Sequence, residues 1–275
     1  MTNPGDKVVL TTGANSGIGL ATVVKLAKLG FRSVGTVRSE SKAATVMAAA
    51  SSAGVSVETE MLDVTDAMRC AEVVDQVRPW AIVNNAGYSG VGAIEDVSDD
   101  EARHQLETMV VAPMRLACLA LPHMRTAGDG RIVNVSSIYG LTTTPFSGWY
   151  QASKHALEAA SDALRLEVAR DGIRVILIEP GGFKTGIWEE FESDVSRRED
   201  SGYEAAYHRI RSLLDPFMRF MGEPEGAAEA IAKSLTVKAP HARYLVGRDA
   251  QMIAAAQPFL PSVLRDRVTR FLVGL

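Results

Sequence analysis

Tyr150 and Lys154 stand four residues apart in a stretch with helical periodicity, Tyr150–Arg170, so a phenol and an ammonium share one helix face. A phenol titrates near pH ~10, and a cation beside it favours the anion. Lowering that pKa by about three units takes roughly 4 kcal/mol, more than one lysine near solvent supplies. A phenol so acidified is a general acid or base near neutral pH. Ser137 lies upstream, and its hydroxyl can hydrogen-bond a carbonyl or an alcohol. Taken alone, the pair also fits an ordinary helical neighbourhood, and Ser137 fits a turn at a strand end.

A second feature points to an anion. The apolar run Lys7–Thr11 leads directly into Thr12-Gly13-Ala14-Asn15-Ser16-Gly17-Ile18-Gly19, and a helical pattern follows from Gly17 to Leu29. Glycine lets backbone turn sharply and lie close to a pyrophosphate, and the new helix offers free N–H groups and a partial positive charge. A glycine loop between the first strand and the first helix is the setting of a dinucleotide site. An oxidised nicotinamide there would be the second cation that Tyr150 needs.

The elements that must carry these residues alternate strand with helix. Strands are expected at Lys7–Thr11, Arg32–Val37, Val57–Leu62, Trp80–Asn84, Arg131–Ser136, Arg174–Glu179 and Arg243–Val246. Helices are expected at Lys42–Ser51, Asp66–Val77 and Glu225–Val237, with a long one from the Ser98/Glu101 capping box to Arg125. That alternation implies an α/β fold, a single doubly wound Rossmann-type domain (1–275) with a mostly parallel seven-stranded sheet and helices on both faces. Its core covers about 5–250. Residues 182–223 read as an irregular substrate lid, and 250–275 as an amphipathic tail.

The order of these motifs resembles the classical short-chain dehydrogenases/reductases. Shared features are Thr12-Gly13-x-x-x-Gly17-x-Gly19, Asp63, Asn84-Asn85-Ala86-Gly87, Ser137, Tyr150-x-x-x-Lys154 and Pro180-Gly181. The resemblance implies that Tyr150 exchanges a proton, that Lys154 lowers its pKa and holds the nicotinamide ribose, and that Ser137 orients the substrate oxygen. It assigns the cofactor to Gly13, Asn15, Ser16, Gly17, Ile18 and Gly19. Asp63 would accept from the adenine amino group while Val64 packs the ring, although Asp63 also fits a cap for the helix near Asp66. Asn85, Ala86 and Gly87 would wall the ribose. Pro180, Gly181 and Phe183 would border the nicotinamide, with Thr185 bonding its carboxamide. A homodimer or homotetramer and a small-molecule alcohol or carbonyl substrate are implied, with no metal.

Where NAD-preferring proteins end the second strand on an acid, this chain has Thr36-Val37-Arg38-Ser39. A guanidinium suits a 2′-phosphate, so NADP(H) is the expected cofactor, with NAD(H) possible and a solvated surface arginine the plain alternative. The resemblance breaks at Met109, where many members carry an Asn that helps water reach the lysine. No Asn lies between Asn85 and Asn134. A thioether cannot donate, which leaves a slower or rerouted proton relay or an impaired enzyme. Pro113 should free a nearby backbone carbonyl. Trp188, Phe191, Tyr203, Tyr207, Phe217, Met218 and Phe220, with Phe146 and Trp149, suggest a lipophilic substrate; plain lid packing explains the same aromatics.

The 275 residues carry a net charge of −4, which gives no reason to expect nucleic acid or an anionic surface. Cys70 and Cys118 read as core residues of a reducing compartment, and no signal or membrane-spanning run is visible, which implies a cytoplasmic protein. The five histidines show no metal-ligand spacing. The tail's Phe259, Leu260, Val263, Leu264, Val268, Phe271 and Leu272, interspersed with Arg265, Arg267 and Arg270, fit packing on the domain or on a second subunit. A membrane surface is the alternative. Two other functions fit parts of this pattern: a dinucleotide-binding sensor with catalysis lost at Met109, and a sugar-nucleotide epimerase or dehydratase. The first sits poorly with intact Ser137, Tyr150 and Lys154, and the second needs a larger C-terminal domain.

Overall fold

The computed structural model of the protein describes residues 4–185, 193–198, 201–218 and 221–275. Seven strands, β1 (Val8–Thr11), β2 (Arg32–Val37), β3 (Glu58–Met61), β4 (Ala81–Asn84), β5 (Gly130–Val135), β6 (Ile173–Pro180) and β7 (Arg243–Val246), form one sheet. The order is β3-β2-β1-β4-β5-β6-β7, and every pairing is parallel. Parallel pairing requires crossovers, and the helices that make them cover both faces. Hence β4 and β5 are buried along their whole length.

One face packs α3 (Ala67–Val77), α5 (Ala112–Ala127) and α6 (Gly148–Glu167) around Leu10, Ile82, Leu116 and Ile132. The other packs α1 (Gly17–Lys28) and α8 (Pro224–Thr236) around Val9, Leu26, Val83 and Ile231. A smaller cluster lies under α2 (Glu40–Ser52). Chain order reverses between β1 and β4, so their carboxyl ends open a crevice there, the position at which this fold class binds ligands.

The helix expected from Ser98 to Arg125 is interrupted. The Ser98/Glu101 capping box opens α4 (Asp99–Leu106) as anticipated. Glu107–Val111 then forms a π-helical turn, with Ala112 N–H donating to Glu107 C=O, before α5 begins with Pro113 in its first turn. Pro113 has no N–H for the Met109 carbonyl four residues back, and the wider turn accommodates that loss.

Residues 182–223 are less irregular than the sequence suggests, because they include α7 (Glu204–Met218). Phe146, Tyr203 and Tyr207 pack on one another with Val91, Ala93 and Val273. Tyr207 Oη accepts from Ala93 N–H and donates to Asp96 Oδ2, both at 2.6 Å. These three aromatics build a small core of their own, in which Asp96 pins the Tyr207 hydroxyl. Trp188, Phe191 and Phe220 lie outside the described residues. The chain ends in α9 (Arg248–Ala256) and α10 (Ser262–Val273). Among the described residues no helix is long and apolar enough to cross a membrane.

Candidate active site

The loop after β1 is built to bring backbone close to a ligand. Gly13 (φ +65°) and Gly17 (φ +50°) adopt left-handed conformations that a side chain would strain. A Cβ at Gly19 would strike the Gly13 carbonyl and the Asn85 amide. Ser16 caps α1 without a side-chain bond, leaving the first-turn amides outside the helix's own hydrogen bonding. Asn85 fastens this loop to the end of β4. Its Nδ2 donates to Thr12 O (3.0 Å) and Gly13 O (3.1 Å), while Thr12 Oγ1 accepts from the N–H groups of Asn85 and Ala86. Asn15 is half-buried, Ser16 is exposed, and Ile18 packs towards the core beneath.

Across the crevice, β5 ends in Val135 and releases the chain to Ser137, which is buried at the start of a short 3-10 turn, Ile138–Gly140. Its Oγ accepts from Tyr139 N–H at 3.2 Å. Tyr150 sits in the first turn of α6, which begins two residues before the tyrosine, with its ring edge-on to Tyr139 at 6.2 Å. Lys154, one turn on, is buried; its Nζ donates to Val135 O at 2.9 Å and lies 5.6 Å from the Tyr150 ring centre. Tyr150 and Lys154 thus share a helix face as their spacing requires, with Ser137 at the end of β5 beside Lys154's carbonyl partner.

Their titration differs from the expectation. Burial pushes the Tyr150 phenol up to about 12, while a hydrogen bond with Ser137 pulls the other way. Burial pushes Lys154 down to about 8, against the nearby Glu158 carboxylate that favours its charge. Burial is the largest cause at both groups. As it stands, Tyr150 is a neutral proton donor.

The remaining residues expected at a cofactor follow the carboxyl ends of β2, β3, β4 and β6. Arg38 is exposed at the end of β2, and its charge helps hold the Asp63 carboxyl below its ordinary value, together with hydrogen bonds from Thr65. Asp63 accepts from Thr65 N–H (3.0 Å) and Oγ1 (2.7 Å), whereas Asp66 is the residue that caps α3. Val64 is buried, its side chain part of the main core cluster. Pro180 closes β6; Gly181 N–H donates to Val246 O, and the Asp249 carboxylate occupies the space a Cβ at Gly181 would need. Phe183 pairs with Gly222, which folds the segment back so that Thr185 rests directly over Gly17. A groove of about 950 Å³ runs from Gly17 and Thr185 along α1 and α8; Ser137, Tyr150 and Lys154 do not line it.

Met109 is fully buried, its Sδ 3.2 Å from where a Gly87 Cβ would stand. Two polar clusters escaped the sequence reading. Asn84 Nδ2 donates to Asn134 Oδ1 (2.8 Å) and to Pro113 O (3.2 Å), tying two strands to α5 beneath the site. Arg243 of β7 clamps Glu158 (2.8 Å), Asp162 (2.9 Å) and the buried Glu179 (3.0 Å) behind Lys154. The Asn-Asn-Ala-Gly run and the i, i+4, i+8 acidic and basic stripe on α6 were the available signals.

A glycine cradle with no room for side chains, an open helix N-terminus and an exposed guanidinium beside the crevice together fit a phosphorylated dinucleotide. Comparison with known proteins agrees. The family model described as short chain dehydrogenase matches residues 7–196. An uncharacterized oxidoreductase, YusZ of Bacillus subtilis, is 36% identical over 264 residues, covering 93% of this chain and 94% of its own. The 3-ketodihydrosphingosine reductase of Bacteroides thetaiotaomicron is 30% identical over 275 residues, covering 98% of each. Among solved structures, an actinorhodin polyketide ketoreductase with NADPH is 30% identical, with a TM-score of 0.74 over 89% of this chain and 97% of that one.

Proposed function

The chain belongs to the short-chain dehydrogenase family of oxidoreductases, and on that premise we propose that it reduces a ketone or aldehyde to an alcohol with NADPH, acting on a lipophilic substrate. One observation carries the reading: Ser137 follows β5, whose carboxyl end lies on the same side of the sheet as the glycine loop after β1, and the buried Lys154 bonds Val135 O at the end of β5 and lies 5.6 Å from the Tyr150 ring centre.

NADPH, when bound, supplies the hydride; the protein binds and orients it. Gly13, Asn15, Ser16, Gly17, Ile18 and Gly19 would cradle its pyrophosphate on the N-terminus of α1. Arg38 would meet the 2′-phosphate, and Asn85, Ala86 and Gly87 the ribose side. Asp63 and the backbone at Val64 would border the adenine. Pro180, Gly181, Phe183 and Thr185 would close the nicotinamide side. Ser137 donates to the substrate carbonyl oxygen, and Tyr150 protonates it as charge develops there. A phenol held at about 12 carries its proton at neutral pH and can donate it to the substrate oxygen. Lys154, held at about 8, is well matched to return a proton to Tyr150. The lipophilic reading draws on the relative named for 3-ketodihydrosphingosine, a ketone on a lipid, and on Trp149 beside Tyr150.

NADPH consumption against a panel of carbonyls graded in chain length tests the activity, run beside Tyr150→Phe. The substitution should lower kcat/KM by about a thousandfold; an undiminished rate overturns the role of Tyr150. Turnover confined to small polar sugars overturns the substrate class. The ratio of kcat/KM for NADPH and NADH should favour NADPH and fall in Arg38→Ala; a preference of the unaltered chain for NADH overturns the cofactor assignment.

A further inference from the structure

The tail exposes more apolar side chain than the rest of the described surface. Phe259 is 84% exposed, Phe271 75% and Val263 70%. At about 100° per residue, Leu264, Val268, Phe271 and Leu272 fall on one arc of α10. Val273, the buried residue of that helix, falls on the opposite side, where it joins the cluster around Tyr207. The helix is therefore docked on α7 by its far side, and its apolar face looks outward. Arg265 borders one edge of that arc and Arg267 the other, so the tail is locally basic on a chain of net charge −4.

The tail is also fastened to both sides of the candidate site. Asp249, in the first turn of α9, accepts from Gly182 N–H at 2.6 Å, next to the end of β6. Gln257 Nε2 donates to Leu141 O at 3.1 Å, just beyond Ser137 and its 3-10 turn. The segment that leads into α10 is thus fastened beside Ser137's turn and the end of β6.

We propose that the outer face of α10, with Phe259, docks in the plane of an anionic lipid surface, apolar residues in the acyl boundary and Arg265 and Arg267 at the headgroups. An apolar stripe edged by arginines is the pattern of an interfacial helix. Charge favours lipid over a second copy of this chain, since a symmetric pair would set these arginines against one another. The proposal deepens the lipophilic-substrate reading, because a water-insoluble ketone would enter from the surface on which the crevice rests. Its test does not depend on turnover.

The full chain with NADPH is to be floated with vesicles of phosphatidylcholine alone and with phosphatidylglycerol added. Binding should require phosphatidylglycerol and weaken with salt. It should fall about tenfold or more in Arg265→Gln with Arg267→Gln, and likewise in Phe259→Ser with Phe271→Ser. Reduction of a small water-soluble ketone should stay unchanged in both variants, which certifies their fold; should the chain reduce none, circular dichroism and NADPH affinity serve instead. Absence of binding to anionic vesicles, or binding that both variants retain, overturns the proposal. Concentration-dependent dimerisation without lipid, abolished by Phe271→Ser, would assign the face to a second copy and overturn it equally.

Discussion

Along one face of α6, Tyr150 and Lys154 in the first two turns contrast with Glu158 and Asp162 in the next two. Lys154 is desolvated with a backbone carbonyl as its partner, and both it and Tyr150 are displaced towards their neutral forms. Glu158 and Asp162 face the guanidinium of Arg243, which is raised in turn by Asp162 and its neighbours, and the Arg243 and Arg165 bonds hold Asp162 down at about 2. One segment is arranged around proton transfer; the other around ion pairs that tie α6 to β6 and β7. Four residues of helix separate a cluster arranged for proton transfer from one arranged for sheet-edge stability.

The contrast breaks most sharply at Lys154. Lys154→Met keeps length and burial but removes the ammonium, and carbonyl reduction should fall by about a thousandfold. The stability readout is linked to pH. A lysine whose folded pKa is lowered from 10.5 to about 8 costs the native state where it is protonated. Native wild type therefore gains stability as pH rises from about 8 to 10.5, by about 3 kcal/mol. The Tm of Lys154→Met relative to wild type should decline over that window, and a flat difference would show that Lys154 is not desolvated as described.

Arg243→Met should do the converse. It strands Glu158, removes the partner of Glu179 and leaves Asp162 with Arg165 alone, for a loss of about 3 kcal/mol, the low end for a broken buried cluster because Arg243 is a third exposed. Thermal unfolding should shift down by roughly 5 °C while kcat/KM of the folded protein holds. A loss of rate without a loss of Tm would merge the two clusters.

Local signals and long-range ones separated in the same way. β2 and β7 occupy the expected residues, and Tyr150 and Lys154 meet as their spacing requires, because period and i, i+4 geometry are written in adjacent residues. The Arg243 clamp was not legible, since Glu158, Glu179 and Arg243 meet only through the parallel pairing of β6 with β7. The break between α4 and α5 was half-visible: Pro113 announced a freed carbonyl, but not that a π-helical turn would absorb it. Tyr207 poses a comparable long-range problem. Tyr207 looked like a pocket residue until Asp96, far away in sequence, supplied its partner.

A smaller effect sharpens the structural half of the comparison. Glu179 is fully buried, and burial with the neighbouring Glu158 carboxylate raises it from 4.5 to about 7 despite Arg243. The unfolded chain releases this proton first, so wild type loses stability as pH rises from about 4.5 to about 7. Glu179→Gln, which cannot ionise, should show a Tm advantage that grows through that window and levels above it. An advantage that shrinks with rising pH would mean that Arg243 holds Glu179 as an anion.

The smallest effect is expected at Met109, and it concerns where the proton leaves the first cluster. The side chain is apolar and buried against Gly87, so an amide there would lack partners. What the π-helical turn does present is the Met109 backbone carbonyl, denied its α-helical donor by Pro113. Met109→Asn should therefore lower Tm while changing kcat by no more than about threefold, within ~0.7 kcal/mol of barrier. Pro113→Ala restores an N–H to that carbonyl and should slow turnover more than Met109→Asn does. Comparing the two kcat values in light and heavy water decides it: a large gain from Met109→Asn, with Pro113→Ala neutral, would place the relay on the side chain at position 109 and leave the chain short of a group it needs.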